Sequence, residues 1–261
     1  MTGGTRLVHA MGTVVSLDAR SESTDSCRTA AMDAAEAVVH AADEIFSTWK
    51  DASWVSRLRR GEVTPDACPA DVVEVLRLCD QAEQLTGGRF SVRWRRDGTL
   101  DPTGLVKGWA AGRASDALRA AGIGDHVVNA AGDLAVAGRP EPGREWRVGI
   151  ADPRARGRLL GALDCSRVTP GASGLRAVAT SGPAERGKHV LDPRTGATAT
   201  DVLSATVTGP DPALADAFAT ALVAAGVEAP ALLDELRNGE WDGLLLLLGD
   251  RLVDPSRLLG G

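Results

Sequence analysis

Hydrophobic and polar positions change period along the chain, and the changes mark the elements. Over residues 7–17 the pattern alternates loosely. Leu7, Met11, Val15 and Leu17 share one parity and read as strands around a turn at Met11-Gly12-Thr13. Residues 24–46 then carry Met32, Ala35, Val39, Ala42 and Phe46 at helical spacing. A second helix is predicted over 69–85 through Val72, Val75, Leu76, Cys79 and Ala82, with Gly87-Gly88 to stop it. A third, rich in alanine, is predicted from Lys107 to 121. From 126 to 208 the chain breaks into short β-like pieces divided by Gly and Pro: HVVNA, DLAVAG, WRVGIAD, LLGALDCS, AVATSG, HVLDP and LSATVTG. Helices at 213–225 and 229–237 and strands at 244–248 and 251–253 complete the series. Helices, then a block of strands, then helix and strand again is an α+β order rather than a βαβ alternation.

Composition adds limits. A chain of 261 residues can bury one sizeable core, as one large domain or two fused lobes. The balance of 29 basic and 35 acidic residues gives a net charge of −6, which argues against a general electrostatic claim on nucleic acid or acidic membranes. Cys27, Cys68, Cys79 and Cys165 have no metal-type spacing and no C-x-x-C, so they read as free, mostly buried thiols of a reducing compartment. No signal-peptide pattern and no run of membrane-spanning length stands out, and a cytoplasmic protein without a membrane segment is the expectation. The six tryptophans fall mostly near loops, where lobe-edge packing and ligand stacking are both open.

Three stretches carry candidate chemistry, and neither G-x-G-x-x-G after a strand nor a P-loop is among them. In DPALADAFATALVAAG (211–226), Asp211 is a good N-cap and Pro212 suits the first helical position. The helix is apolar on nearly every side, and only Asp216 and Thr220 interrupt it, at i, i+4 spacing on one face. A carboxylate beside a hydroxyl is what Mg²⁺ takes when phosphates fill the rest of its shell; the alternative is a face turned to solvent through Asp216. In LDPTGLVKGWAAG (100–112), Asp101-Pro102 begins a tight turn, Gly104 permits close backbone approach and Lys107 opens the next helix. That arrangement suits an anion, but a plain turn with a solvated lysine explains it as well. In VVNAAGDLAVAG (127–138) the preferred reading is a hairpin or bulge, with Asn129 and Asp133 making local turn bonds.

Together these pieces resemble the ApbE family, the FAD:protein FMN transferases. The motifs occur in order: MGT (11–13), FSTWKDASWVSRL (46–58), TGGRF (86–90), DPTGLVKG (101–108), NAAGDLAVAG (129–138), AVATSGPAERGKHVLDPRTG (177–196) and ADAFATAL (215–222). The resemblance implies a T-fold-like α+β architecture with mixed or antiparallel sheets, one domain over 1–261 made of two closely packed lobes, and FAD in the cleft between them. It also implies Mg²⁺ held by the Asp216 carboxylate, the Thr220 hydroxyl and the Gly104 carbonyl. Met11, Trp49, Arg89, Phe90, Ser91, Asp101, Lys107 and Val190 fall where the family contacts the dinucleotide. His189 matches the histidine implicated in transfer, and Asp216, through the metal it holds, is the other catalytic position. Two positions depart from the family's pattern: Ser91 stands where an Asp is common, and Ala131 where a glycine is usual.

The implied activity is Mg²⁺-dependent movement of FMN from FAD to a Thr or Ser hydroxyl of an acceptor flavoprotein, with AMP leaving. Such phosphoryl transfer needs charge neutralisation and alignment more than covalent help. Mg²⁺ would polarise phosphoryl oxygens, Lys107 would add positive charge, and His189 would serve as general base or orienting group. The same metal site would serve an FAD pyrophosphatase giving FMN and AMP. A non-catalytic FAD-binding protein is the third reading, against which the presence of Asp216, Thr220 and His189 counts.

Overall fold

The structure, a computed structural model, describes residues 2–183, 190–254, 256, 258 and 259. It opens with a hairpin of β1 (Thr2–Ala10) and β2 (Thr13–Ser21), joined by two residues of positive φ, Met11 at 52° and Gly12 at 67°. Both left-handed positions give the tight turn that matches strand twist. The register corrects one sequence expectation. Val8 faces Val15 and Ala10 faces Thr13, so parity inverts across the two-residue turn. Val15 and Leu17 are buried as expected, but on β1 the buried residues are Val8 and Ala10, while Leu7 is 62% exposed.

An eight-stranded sheet runs in the order β1-β2-β3-β4-β7-β8-β9-β10, and every one of its described ladders is antiparallel. Its further strands are β3 (Asp125–Ala130), β4 (Asp133–Ala137), β7 (Arg176–Ser181), β8 (Val202–Gly209), β9 (Asp242–Leu247) and β10 (Leu252–Val253). A smaller sheet pairs β5 (Arg147–Ala151) with β6 (Leu159–Asp164) and β6 with β11 (Leu258–Leu259). Both sheets have the antiparallel form expected of the α+β class.

Helices cover one face. α1 (Asp25–Phe46) buries Ala31, Met32, Ala35, Val39, Ala42 and Phe46, a stripe at three- and four-residue spacing. With α4 (Thr103–Ala120) it closes over Val15, Leu17, Val128, Ala130, Ala135 and Ala137. On the opposite face Leu134, Val136, Val178 and Leu244 pack against Ile150 and Leu163 of the smaller sheet. β4 is therefore buried on both faces, and its sequence DLAVA is correspondingly apolar without alternation.

The remaining described helices are α2 (Trp54–Arg59), α3 (Ala70–Leu85), α5 (Pro212–Ala225) and α6 (Ala229–Arg237). Contrary to the expectation that no run approaches membrane-spanning length, Pro212–Arg237 is long and apolar enough by composition. Here 72% of its most apolar window is buried inside the fold. Of the predicted HVLDP strand, the described part contributes one isolated bridge, Leu191 to Thr198, and the turn at 192–196 ends it.

Candidate active site

The site grows from the crossing of α4 and α5. Gly104, Gly108 and Gly112 recur every four residues and form one edge of α4. Glycines weaken a helix by about 1 kcal/mol each relative to alanine, so a stripe of them needs a packing reason. That reason is α5. A Cβ on Gly108 would lie 2.0 Å from the Pro212 carbonyl oxygen and 2.9 Å from Cβ of Asp216, and one on Gly104 would lie 3.5 Å from Thr220 Oγ1. The contact therefore sets Gly104 beside Thr220 and Gly108 beside Asp216.

α5 is capped by Asp211, whose side chain accepts from the Leu214 N–H at 3.0 Å, and all its residues but Thr220 are buried. Asp216 is 1% exposed, which rules out the solvent-facing alternative. A buried carboxylate needs partners. Oδ2 accepts from the Gly108 N–H at 3.1 Å, and Lys107 Nζ stands 3.6 Å from Oδ1. The same ammonium donates to Asp133, which is fully buried at the start of β4. Thr220 shares a hydrogen bond of 3.2 Å with Ser181 at the end of β7.

This cluster opens on a cavity of about 500 Å³, within the size range of ligand pockets. Its other walls are loops fixed by local bonds. The Met11 N–H donates to Asp43 of α1 at 2.9 Å, tying the hairpin turn to the helix layer. After α1, Ser47 Oγ accepts from the N–H groups of Trp49 and Lys50, and Ser53 both donates to the Ser47 carbonyl and caps α2. Trp49 is left 89% exposed at the cavity mouth.

The segment TGGRF closes α3 and presents Phe90. Gly87 and Gly88 are left-handed, and the Gly88 N–H reaches back to the Glu83 carbonyl in a Schellman arrangement. Thr86, fully buried, donates to the Ala82 carbonyl and accepts from the Phe90 N–H at 3.1 Å. Phe90 is thereby turned inward against Gly104.

The predicted positions Met11, Trp49, Arg89, Phe90, Ser91, Asp101, Gly104, Lys107, Val190, Asp216 and Thr220 all line this one cavity. Several have work within the fold. Asp101 accepts from the N–H and hydroxyl of Thr103, which starts α4, and pairs with Arg95 at 3.1 Å and Arg59 at 3.4 Å. Arg89 is turned to Glu228 at 2.8 Å, and Ser91 Oγ accepts from the Arg93 N–H. Val190 accepts at its carbonyl from the Ala199 N–H. His189 lies outside the described residues.

Two expectations are corrected. α4 begins at Thr103, whose N–H and hydroxyl donate to Asp101, so Lys107 lies in its second turn rather than at its start. Asp133 was expected to make local turn bonds, as Asn129 does by accepting from the Gly132 N–H at 2.8 Å; instead it is the buried partner of Lys107. Asp133 and Ser181 are among the residues of the site that sequence reasoning did not assign to it. For Asp133 the signal was present, a carboxylate opening an otherwise apolar strand.

The ApbE family model matches residues 11–96 and 93–241, most of the chain. The chain belongs to the ApbE family. Among its relatives, a FAD:protein FMN transferase of Rhodobacter capsulatus is 36% identical over 179 residues, covering 64% of this chain and 32% of that protein. A FAD:protein FMN transferase of Vibrio cholerae is 29% identical over 178 residues, covering 64% of this chain and 51% of that protein. These matches thus span a third to a half of the relatives' length. The ApbE protein of Thermotoga maritima has the same fold, with a TM-score of 0.80 at 20% identity over 97% of this chain and 96% of that one. Family membership gives the order of motifs along this chain a common frame: MGT, TGGRF, DPTGLVKG and ADAFATAL each supply one wall of the cavity.

Proposed function

We propose that this ApbE-family chain transfers the FMN moiety of FAD to a Thr or Ser hydroxyl of an acceptor flavoprotein, in a Mg²⁺-dependent step that releases AMP. The observation that carries the reading is the single cavity onto which Lys107, Asp216 and Thr220 all face at the α4–α5 crossing. The two relatives described above, both named FAD:protein FMN transferases, support the choice of substrate.

The residues present fit Mg²⁺. Asp216 and Thr220 are hard oxygen donors brought beside Gly108 and Gly104 by the glycine contact, and the Gly104 carbonyl would be the third donor. Among the described residues no group of three or more His, Cys, Asp or Glu side chains could hold a metal by itself. One carboxylate and two neutral oxygens would leave room for substrate phosphates and water to complete the shell. When bound there, Mg²⁺ supplies Lewis-acid neutralisation of the pyrophosphate charge.

The chain's own side chains supply the rest. Lys107, held between Asp133 and Asp216, presents a fixed positive charge to the pyrophosphate. Met11, Phe90 and Val190 give apolar walls that exclude water from around it, and Trp49 offers an aromatic face at the mouth. The acceptor oxygen attacks the phosphorus on the FMN side and forms the new P–O bond. The bond from that phosphorus to the bridging oxygen breaks, and AMP leaves. The hydroxyl proton passes to His189 as general base.

Incubation of the protein with FAD, Mg²⁺ and an acceptor flavoprotein domain tests this, with chromatography of the products. Protein-bound FMN and AMP in equal amounts are expected. Free FMN and AMP formed equally well without the acceptor would make the protein a pyrophosphatase instead.

A further inference from the structure

Asp133 stands behind Lys107, fully buried and off the cavity wall. It is aimed there by a tight turn in which Ala131 has a φ of 55° and Gly132 one of 96°. The left-handed alanine is a cost the turn accepts, and the turn fixes where β4 begins. Among the described residues, the carboxylates of Asp133 and Asp216 share one buried cluster with the Lys107 ammonium between them. The ammonium is not shared evenly. It is hydrogen-bonded to Asp133 but stands 3.6 Å from Asp216 Oδ1, beyond a hydrogen bond. Asp216 meanwhile accepts from the Gly108 N–H through its other oxygen.

We infer that Asp133 is a positioning residue for the metal site: by holding the Lys107 ammonium it keeps that cation from closing onto Asp216, which is left to bind a divalent ion. The inference rests on the reading of Asp216 and Thr220 as metal donors. Its logic is competition at one carboxylate. A lysine side chain has four flexible methylenes, and only a small swing separates its present place from a direct bond to Asp216. Without Asp133 that bond forms, and an incoming cation has to displace an internal one. Asp133 thus controls metal affinity without touching the metal, as partners of ligands do elsewhere.

Binding of Mn²⁺, read by the loss of its free-ion paramagnetic resonance signal with and without FAD, tests the idea independently of turnover. Asp133→Asn is expected to weaken Mn²⁺ binding about 10- to 100-fold. In a Lys107→Met background, the same substitution is expected to change the affinity hardly at all, because the competing ammonium is gone. Wild-type affinity in Asp133→Asn overturns the inference, as does an undiminished loss in the Lys107→Met background, which would make Asp133 a direct contributor. If Asp133→Asn alone does not fold, the comparison of Lys107→Met with the double variant remains. There a weaker double variant overturns the inference, and Asp133→Ser in the presence of Lys107 replaces Asp133→Asn as the deciding variant: an about 10- to 100-fold weaker Mn²⁺ affinity is expected, and wild-type affinity overturns it. A wild-type protein that binds no Mn²⁺ under either condition removes the metal site itself, and this inference with it.

Discussion

Single side chains in this molecule are held by specific partners, and His126 shows how far that goes. Its imidazole is fully buried between α4 and β3. The Ile123 carbonyl can only accept, so Nδ1 carries the hydrogen at 2.9 Å, and Nε2 accepts from the Ser115 hydroxyl at 2.7 Å. Burial pushes the ring down to about 4 from an ordinary value near 6.5. Between those values the unfolded chain takes up a proton that the folded chain refuses. The contribution is fully present above pH 6.5 and is lost as pH falls toward 4, amounting to about 3 kcal/mol. Urea unfolding at pH 7 and pH 4.5 should show this loss, and His126→Gln should remove most of the difference between the two pH values. The proposed base, His189, calls for a different test. His189→Ala should lower FMN transfer by about 10²–10⁴-fold while the FAD titration moves little, because Lys107 and the proposed metal donors remain. Parallel loss of rate and affinity would make His189 a cofactor contact.

Elements bring these side chains together, and the decisive one is the crossing of α4 on α5. Gly108→Ala would place a methyl group 2.0 Å from a backbone carbonyl oxygen that cannot move without moving α5. Overpacking of this kind costs about 1–3 kcal/mol, so a clear fall in melting temperature is expected together with loss of FAD binding. A variant that binds and melts as wild type would show that the helices need not approach so closely. Much of this element was legible in the sequence. Asp211, Pro212 and the lone polar pair Asp216 and Thr220 in an apolar helix pointed to a buried carboxylate face, because cap, period and polarity are local properties. The Lys107–Asp133 pair was not legible, since it joins residues 26 positions apart on a helix and a strand. The start of α4 was misplaced for a local reason, because Asp101 accepts from the Thr103 N–H across Pro102 and the first turn forms ahead of Lys107. The side of β1 that is buried was missed because a two-residue turn inverts parity, a feature of pairing rather than of either strand.

At the scale of the whole molecule, the cavity is assembled from segments between Met11 and Thr220, so only the complete arrangement of helix layer and eight-stranded sheet creates it. The hairpin turn, the end of α1, the TGGRF turn, the start of α4, the end of β7 and the middle of α5 each contribute one side. Anything that binds across them links distant parts of the fold and stabilises it; at a hundredfold excess over Kd the gain is about 2.7 kcal/mol. In the proposed function this cavity takes a dinucleotide whose pyrophosphate meets Lys107 and a metal on Asp216. The most direct measurement is a calorimetric titration of FAD and of FMN, with and without Mg²⁺, into the wild-type protein and Asp216→Asn. FAD is expected to bind much more tightly than FMN, Mg²⁺ to strengthen FAD binding, and Asp216→Asn to abolish the Mg²⁺ effect while the fold is retained. Equal affinity for FAD and FMN, or an Mg²⁺ effect undiminished in Asp216→Asn, would contradict the proposed function.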